Sequence, residues 1–365
     1  AMKFTIHLPG SSARTSEVTI GEGLLEDLPA ALQSYLGDRV PYWIWDENVW
    51  KLWEKHLEDF GGLDFFKRRL ILFPASEPNK RLAALEELAR ALAVAGADRE
   101  SALVAVGGGV TGDVVGFLAS IYMRGIPHFQ VPTTLLAQVD SSIGGKTGVD
   151  LPEGKNLLGT FHQPRAIWMD AQFLETLPPE QFRQGMAEVI KTAMIGDEVL
   201  WKYLESHSDA LRNREKEALV RVISACGMIK AKVVESDEKE SGYRRVLNLG
   251  HTVGHALERL SIYRIPHGDA VAMGMVVAAR LSVRRGIIGA GELERLEKLC
   301  ESWDVPVRSP GDFCSKEIIL ALQTDKKRMG KTLHFILPLR IGEVMDCDDL
   351  AMRELEEVLN VLKKK

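Results

Sequence analysis

The chain has 365 residues, of which 45% are apolar and 27% are charged, and it carries a net charge of −5. This balance is typical of a globular protein of about two domains, and the absence of a global basic field argues against nucleic acid as a partner. The four cysteines form no C-x-x-C pair, which argues against a disulfide scaffold or a zinc ribbon.

The start of the chain and its apolar runs bear on its location. Polar residues and Pro9 interrupt the opening run Met2–Leu8 too early for a secretory signal peptide. No apolar run reaches the roughly 18 residues that a membrane span needs. We therefore expect a soluble, cytoplasmic protein with reduced cysteines and no membrane partner.

The first half of the chain predicts strands that alternate with helices. Lys3–Leu8 and Thr15–Ile20 alternate apolar and polar residues around a Pro-Gly-Ser-Ser turn, which predicts a hairpin. Such alternation of strands and helices indicates an α/β domain with a mostly parallel sheet. Further strands are predicted at Pro41–Trp45, Leu70–Phe73, Ala102–Val106 and Phe129–Val131, with a helix at Asn79–Ala95.

The second half of the chain predicts helices almost throughout. Pro179 follows a Leu-Pro pair and suits the first turn of a new helix. We expect an α/β domain over residues 1–176 and a mainly helical domain over residues 177–365. Helices are predicted at Phe182–Ile195, Glu198–Leu204, Glu215–Val234, His251–Leu260, Ala270–Arg284 and Glu292–Glu301, with one strand at Leu333–Leu337.

A glycine-rich turn follows the strand predicted at Ala102–Val106. The run Gly107-Gly108-Gly109-Val110-Thr111-Gly112-Asp113 matches G-x-G-x-x-G between a strand and a helix. At such a turn the bare backbone can approach a pyrophosphate, and N–H groups of the helix can bind it. The motif indicates a dinucleotide cofactor, although the same glycines could serve tight packing alone.

The acid that would bind the ribose of the cofactor is not where the usual pattern places it. No Asp or Glu ends the strand Phe129–Pro132, whereas Asp46 ends the earlier strand Trp43–Trp45. Asp46 is therefore either a ribose ligand in a variant topology or the cap of the next helix. The run Gly144–Thr147 is not a P-loop, because Asp140 stands where that motif requires glycine, so we do not expect ATP hydrolysis.

Three of the nine histidines fall close together in the second half. His251 and His255 share one face of a helix, His267 follows, and Glu188 lies in an apolar helical run where a buried carboxylate needs a partner. Two histidines and one glutamate with an open position suit a catalytic ion of the zinc type. Thr252 stands where a zincin motif has glutamate, which disfavours a metalloprotease. The spacing leaves open which three of the four residues ligate, and separate local hydrogen bonds remain the alternative.

Basic and amide side chains beside glycines form a further set. A single surface lysine is usually only solvated, but together these side chains suit a substrate with a phosphate and a carboxylate. Sequence alone does not establish that they converge. The set is Arg124, Lys146, Lys155, Asn156, Lys191, Lys230, Arg244, Asn248, Lys326 and Lys327.

Seven runs of the sequence are distinctive when they are taken together. They are Gly107–Asp113, Gln130–Leu136, Asp140–Thr147, Gly154–Asn156, Met186–Lys191, Leu247–His251 and Asp325–Lys327. In this order they closely resemble the 3-dehydroquinate synthase family of sugar phosphate cyclases, over nearly the whole chain. The resemblance implies a homodimer with a Rossmann-like NAD-binding domain, a mainly helical metal-binding domain and an active site between them.

The resemblance also implies roles for individual positions. Glu188, His251 and His267 would bind one divalent metal ion, zinc or cobalt, and His255 would contact the substrate. The implied NAD contacts are Asp46, Glu77, Lys80, Gly107, Gly108, Gly109, Asp113, Thr133, Thr134, Lys146 and Lys155. The implied catalytic and substrate contacts are Asp140, Lys146, Lys155, Asn156, Lys191, Lys230, Arg244, Asn248, His255, one of Lys326 or Lys327, and Arg124 reaching into the partner subunit's site.

The family's reaction converts 3-deoxy-D-arabino-heptulosonate 7-phosphate to 3-dehydroquinate and phosphate in the shikimate pathway of aromatic amino acid biosynthesis. The resemblance implies transient oxidation by NAD, which acidifies the neighbouring C–H so that phosphate can leave. Re-reduction and an intramolecular aldol step then close the ring, with the metal as Lewis acid.

Three other functions compete with this one. Related cyclases make deoxyinosose or valiolone rings from substrates without a carboxylate, and they tend to differ at the positions that match Lys230, Arg244, Leu247 and His255. This chain keeps the dehydroquinate synthase pattern at all four. A metal-dependent polyol dehydrogenase would share the two-domain plan but accumulate NADH, and a non-enzymatic binding module would leave the glycine, histidine and lysine runs unexplained.

Overall fold

The structure, a computed structural model, describes residues 1–8, 15–309, 313–329 and 333–360, without the side chains of 324–329. Its contacts divide the chain into two units. Unit 1 comprises Ala1–Pro178 and Arg214–Lys239, and unit 2 comprises Pro179–Asn213 and Glu240–Lys365. The boundary at Pro178 lies two residues after the division that the sequence predicts. The segment 214–239, however, groups with unit 1 and not with the helical part to which the sequence assigns it.

Unit 1 is built on a seven-stranded sheet with the strand order β1-β2-β9-β6-β5-β3-β4, as defined by the ranges below. β1 and β2 pair antiparallel, and all the other neighbours pair parallel. β7 and β8 form a separate antiparallel hairpin. The strands are β1 (Met2–His7), β2 (Thr15–Gly21), β3 (Val40–Asp46), β4 (Leu70–Phe73), β5 (Ser101–Gly107), β6 (His128–Pro132), β7 (Lys146–Leu151), β8 (Gly154–Phe161) and β9 (Ala166–Asp170).

The sheet of unit 1 buries both faces, because successive side chains of a strand point in opposite directions. On β3, Trp43 and Trp45 enter one apolar core, and Tyr42 and Ile44 enter the other. α1, α2 and α3 cover the first face, and α4 and α5 cover the second. These helices are α1 (Leu24–Leu36), α2 (Glu47–Asp59), α3 (Leu63–Lys67), α4 (Leu82–Val94) and α5 (Gly109–Ile121).

The predicted N-terminal hairpin is confirmed, since Met2 pairs with Ile20 and His7 with Thr15. Its predicted turn lies outside the described residues. The predicted strands from Pro41 to Val131 correspond to β3, β4, β5 and β6, and the predicted helix corresponds to α4 and a preceding 3₁₀ turn, Glu77–Asn79. The sequence prediction missed α1, α2, α3, β9 and the β7–β8 hairpin.

Unit 2 is mainly helical, and α11 forms its centre, with every residue from Gly268 to Ala279 buried. α6 begins at Pro179, as the sequence predicts. The remaining helices of the chain are α6 (Pro179–Gly196), α7 (Glu198–Ser206), α8 (Ser208–Arg212), α9 (Lys216–Ser236), α10 (His251–Leu260), α11 (His267–Arg284), α12 (Ala290–Ser302), α13 (Ser315–Met329) and α14 (Met352–Leu359). A two-stranded sheet adds β10 (Phe335–Arg340) and β11 (Glu343–Cys347).

Two glycines let α10 lie directly against α11. Gly250 precedes α10 with a φ of +79°, which favours glycine, and a Cβ there would lie 2.4 Å from the Val271 oxygen. A Cβ on Gly274 would lie 1.9 Å from the Gly250 oxygen. The two backbones are therefore in contact, and the contact fixes where α10 begins, at His251.

α9 lies in the second half of the chain but packs in unit 1. A Cβ at Gly227 would lie 3.3 Å from the Phe4 ring, and Glu235 accepts a hydrogen bond of 2.8 Å from the His7 backbone N–H. The helix itself is predicted correctly, but its assignment to the helical domain is not supported. Within the described ranges, no helix is both long and apolar enough to cross a membrane.

Candidate active site

Three elements of unit 2 bring Glu188, His251 and His267 together. Glu188 lies in the middle of α6, and His251 and His267 are the first residues of α10 and α11. Glu188 Oε1 lies 3.7 Å from His251 Nε2 and 3.3 Å from His267 Nε2. One ligand atom of each residue lies within 4.8 Å of the others. One oxygen and two nitrogens at this spacing form a donor set that suits a zinc-type ion.

Glu188 is fully buried and pairs with Lys191, whose Nζ lies 2.5 Å from Oε2. Burial by itself raises the pKa of this carboxyl group, but Lys191 and the two histidines outweigh burial and hold its pKa well below the usual range. The negative charge therefore persists in a site from which water is excluded. Such a carboxylate is available to a cation.

The two histidines differ in their surroundings. Burial and then Lys191 lower the pKa of His251 to about 3, so its ring is neutral and can ligate. Burial also lowers the pKa of His267, but hydrogen bonds to Glu188 and Glu258 outweigh it and raise that pKa to about 10. The two carboxylates beside the His267 ring therefore favour a positive charge on that ring, either from a second bound proton or from a metal ion. His251, His267 and Glu188 together fit the divalent ion that the sequence predicts.

His255 lies one helical turn after His251 on α10 and is exposed. Its ring centroid lies 5.2 Å from that of His251 and 6.1 Å from that of His267. The structure thus places His255 beside the three candidate ligands, where it could contact a molecule bound to the ion.

The glycine turn of unit 1 lies between the end of β5 and the start of α5. A Cβ at Gly107 would lie 2.4 Å from the Thr111 hydroxyl oxygen, and one at Gly109 would lie 3.0 Å from the Ser141 hydroxyl oxygen. Tight packing therefore requires glycine at these two positions. This agrees with the alternative interpretation of the motif, in which the glycines serve packing. Two hydroxyl groups near the turn, those of Thr133 and Ser141, have no hydrogen-bond partner in the described part of the chain. The backbone N–H of Thr133 donates a hydrogen bond to the Gly107 carbonyl oxygen. These buried hydroxyls beside a helix N-terminus fit a polar ligand such as a pyrophosphate.

A network of charged and amide groups lies near the other end of the glycine motif. Lys80 is buried, and its Nζ lies 2.6 Å from both Asp113 Oδ2 and Asn156 Oδ1. Asp113 raises the pKa of Lys80 in spite of its burial. Lys155 Nζ lies 2.9 Å from Glu77 Oε1. The structure therefore brings together residues from three separate parts of the sequence that were all predicted as cofactor or substrate contacts.

Asp46 caps α2, since its Oδ1 accepts a hydrogen bond of 2.9 Å from the Asn48 N–H. The capping alternative for this residue is thus observed. Burial raises the pKa of Asp46, and a role in ribose binding stays a prediction. Thr134, the other predicted cofactor residue at the end of β6, accepts a bond of 3.1 Å from the Ala137 N–H.

The other predicted substrate residues are divided between the two units. In unit 1, Lys230 Nζ lies 2.5 Å from Asp140 Oδ1, and Lys146 and Arg124 are exposed. In unit 2, Arg244 is buried, and Asn248 donates a hydrogen bond of 3.0 Å to Glu240. Lys326 and Lys327 belong to α13, but their side chains lie outside the described part of the structure.

Two residues of unit 2 escaped the sequence analysis. Glu258 lies 3.1 Å from His267 Nδ1, and Gln184 bonds to the backbone N–H groups of the two residues after His267. The spacing 251, 255 and 258 on one helix places Glu258 on the histidine face, so the pattern held a signal for it. Gln184 lies four residues before Glu188, but a lone glutamine in a helix carries no comparable signal.

Solved structures of sugar phosphate cyclases are similar to this chain. The 2-epi-5-epi-valiolone synthase of Streptomyces hygroscopicus subsp. jinggangensis, solved with NAD⁺ and Zn²⁺, is 29% identical with a TM-score of 0.87, and the match covers 97% of this chain and 98% of that one. A 2-deoxy-scyllo-inosose synthase with carbaglucose-6-phosphate, NAD⁺ and Co²⁺ is 27% identical with a TM-score of 0.84, covering 98% and 99%. The fold is that of the sugar phosphate cyclases.

Sequence comparison identifies the family within this class. Models of the 3-dehydroquinate synthase N-terminal and C-terminal parts match residues 70–184 and 185–328. The 3-dehydroquinate synthase of Syntrophotalea carbinolica is 41% identical over 354 residues, which are 96% of this chain and 98% of that protein. The chain belongs to the 3-dehydroquinate synthase family, and the predicted family, fold class and lyase activity are confirmed.

Proposed function

We propose that the chain converts 3-deoxy-D-arabino-heptulosonate 7-phosphate to 3-dehydroquinate and phosphate, with NAD and one divalent ion, zinc or cobalt, as cofactors. The observation that supports this best is the cluster of the buried Glu188 with the partly buried His251 and His267, in a chain 41% identical to a curated 3-dehydroquinate synthase. In this proposal unit 1 binds NAD, unit 2 binds the metal ion, and each unit supplies side chains for the substrate.

Glu188, His251 and His267 would hold the metal ion, which when bound polarises a substrate oxygen and stabilises negative charge on it. Lys191 keeps Glu188 ionised in its buried position through the 2.5 Å contact. His255 is the exposed imidazole of the cluster, and an imidazole can give or accept a proton near neutral pH. We assign it to the substrate and not to the ion.

The glycine turn with Thr133 and Thr134 would hold NAD, which when bound accepts a hydride and returns it. The Lys80 network keeps Asp113 and Asn156 in place beside that turn through contacts of 2.6 Å. Asp46, Glu77 and the other predicted cofactor residues complete this assignment.

The remaining cationic side chains suit the anionic groups of the substrate. A heptulosonate phosphate carries a phosphate and a carboxylate, and lysine and arginine bind both. We assign Lys146, Lys155, Lys230 and Arg244 to these anions. Asp140, Asn156, Asn248 and one of Lys326 or Lys327 complete the proposed substrate set.

We also propose that the enzyme acts as a homodimer in the cytoplasm, without a nucleic-acid or membrane partner. Arg124 is exposed beside the exposed apolar side chains of Ile121 and Met123. An arginine among exposed apolar residues is typical of a protein–protein interface, which supports the expectation that it reaches the partner's site.

A phosphate-release assay tests the proposed reaction. The purified chain should release phosphate from the heptulosonate substrate with catalytic NAD⁺ and without net NADH, and a chelator should abolish the release until zinc or cobalt is restored. NADH that accumulates in step with the product would instead indicate a polyol dehydrogenase.

The same assay separates the proposed reaction from that of other cyclases. The solved 2-epi-5-epi-valiolone synthase and 2-deoxy-scyllo-inosose synthase share the fold of this chain. The carboxylate-free sugar phosphates of such cyclases are therefore the matched control substrates for the carboxylated heptulosonate. Faster phosphate release from one of these sugars than from the carboxylated heptulosonate would contradict the proposed substrate.

A further inference from the structure

We propose that Glu258 is a positioning residue for the metal ligand His267, and that it fixes which ring nitrogen faces the ion. This inference rests on the metal site of the proposed function. It extends that site to a residue that the sequence analysis did not include.

Glu258 lies on the same face of α10 as the two histidines of that helix, seven residues after His251 and three after His255. Its side chain is buried, with a relative exposure of 4%. Its Oε2 lies 3.1 Å from His267 Nδ1, whereas His267 Nε2 lies 3.3 Å from Glu188 Oε1. The ring of His267 is therefore held between two carboxylates, one at each nitrogen.

The chemistry of imidazole determines which nitrogen of His267 carries the proton and which is free to bind a metal ion. A neutral ring carries one N–H, and an ionised carboxylate can only accept a hydrogen bond. With Nδ1–H donated to Glu258, the lone pair of Nε2 points toward Glu188 and the ion. Metal-ligating histidines commonly donate their second nitrogen to such an acceptor, which fixes the tautomer and makes the ligating nitrogen more basic.

His251 shows the same arrangement with a different acceptor. Its Nδ1 lies 3.2 Å from the Leu249 carbonyl oxygen, and its Nε2 faces Glu188. Both histidines would therefore present Nε2 to the ion, His251 oriented by the backbone and His267 by a side chain. Only the side-chain acceptor can be removed by substitution, so Glu258 offers the test.

A second ion is the competing interpretation of the same residues. Ligand atoms of His255, Glu258 and His267 also lie within 4.8 Å of one another. An ion there would displace the proton from His267 Nδ1, leaving a ring that bridges two cations. The hydrogen-bond distance to the buried Glu258 favours a single ion with Glu258 outside its ligand shell.

The test measures zinc binding to the full chain after removal of metal, by competition with a chromophoric chelator. Glu258→Leu removes the acceptor and should weaken zinc binding about 10- to 100-fold. Glu258→Gln keeps an acceptor oxygen and should restore much of the affinity. Glu297→Leu is the matched control, because Glu297 also pairs with a side chain of α11, that of Arg280. Arg280 lies about 20 Å along α11 from His267, so this change should not affect the proposed metal site.

Cobalt absorption gives a second readout that a general loss of stability would not change. The spectrum of bound Co²⁺ should shift in Glu258→Leu, return toward that of the wild type in Glu258→Gln and stay unchanged in Glu297→Leu. Wild-type zinc affinity and an unshifted spectrum in Glu258→Leu would overturn the proposal. The proposal would also be overturned if the wild-type chain bound two ions and both Glu258 variants lost one of them. A wild-type chain that binds no ion at all would refute the proposed function itself, which distinguishes the two failures.

Discussion

The histidines of α10 at the proposed metal site differ in their surroundings although they share one helix face. His251 faces Glu188 across 3.7 Å, whereas His255 is exposed one turn further along. A spacing of four residues makes both equally plausible as ligands from sequence alone. The structure distinguishes them because Glu188 of α6 lies beside His251.

Alanine at each of these two positions should separate their roles. His251→Ala removes a proposed ligand, so the protein should lose bound metal. His255→Ala should keep the metal and lower the turnover of the heptulosonate substrate. Metal content by elemental analysis and phosphate release measure the two effects, and equal metal loss in both variants would contradict the ligand assignment.

His128 is a buried titratable residue in unit 1, far in sequence from the metal cluster. It is fully buried on β6, and neither ring nitrogen has a hydrogen-bond partner among the residues that the structure describes. Its ring stacks on that of His162 with centroids 5.0 Å apart. Burial and then His162 lower its pKa to about 3.

This lowered pKa predicts a loss of stability in acid. The unfolded chain binds a proton at His128 near pH 6.5 and the folded chain does not, so stability is present above pH 6.5 and is lost as the pH falls toward 3. Between pH 7 and pH 5 the protonation of His128 in the unfolded chain should lower the free energy of unfolding by about 2 kcal/mol. His128→Gln should therefore show a shallower fall in denaturation midpoint over that range.

The exposed His207 offers a control for the effect of acid. His207→Gln should follow the wild-type pH dependence. A His128→Gln chain that loses stability as steeply as the wild type would show that His128 is protonated in the folded state.

At the scale of elements, α11 depends on a side chain from another helix for its start. Pro266 precedes α11 and supplies no side-chain cap. Gln184 of α6 accepts hydrogen bonds from the N–H groups of Gly268 at 2.5 Å and Asp269 at 3.3 Å, and donates one of 2.8 Å to the Asp269 carboxylate. This glutamine therefore ties the two helices together next to Glu188 and His267.

Gln184→Ala should lower the stability of the protein by about 1 to 2 kcal/mol, because it leaves helix N–H groups without their cap. It should also weaken zinc binding, since Gln184 joins α6, which carries Glu188, to the start of α11, where His267 lies. Chemical denaturation and zinc titration measure the two losses. Gln181→Ala, at an exposed position of the same helix, should leave both quantities unchanged.

The elements that the sequence predicted and those that it missed differ in a physical way. α10 shows clear apolar periodicity, and β3 and β5 are apolar runs that end at Asp46 and at the glycine turn. The sequence predicts all three within one residue of their bounds. β9 is a short buried run, which periodicity cannot distinguish from part of a helix. β8 exposes the apolar side chains of Leu157 and Phe161 and contains Gly159, so its sequence does not alternate apolar and polar residues.

The candidate site was predictable in its chemistry and less so in its arrangement. The donor types of the metal cluster and the glycine turn follow from residue identity and spacing. Glu258 and Gln184 were missed, because their importance depends on which neighbour α6, α10 and α11 bring to them. Contacts between elements distant in sequence leave little trace in a single chain.

At the scale of the whole molecule, the chain changes from one unit to the other three times. The changes fall at Pro178, Asn213 and Lys239, and α9 is the segment of unit 1 between the last two. Sequence predicts the helix because its apolar face is periodic, but periodicity does not say which unit covers that face. The predicted division after residue 176 therefore separates α9 from the unit with which its contacts group it.

A fragment of residues 1–178 should consequently be unstable. It lacks α9, whose buried side chains include Val222, Ile223 and Cys226, and the apolar surface beneath them would meet water. A chain that joins 1–178 to 214–239 through a flexible linker should unfold at a higher temperature and aggregate less. Equal unfolding temperatures for the two fragments would contradict this assignment of α9.

The placement of α9 also has a consequence for synthesis on the ribosome. The sheet of unit 1 is translated by Asp170, but the helix that completes its packing ends only at Ser236. By then α6, with the glutamate proposed to bind the ion, has already emerged, while both histidine ligands are still to be made. The nascent chain therefore carries two unfinished cores at once, and the proposed metal site can be completed only after the whole of α9 has been synthesised.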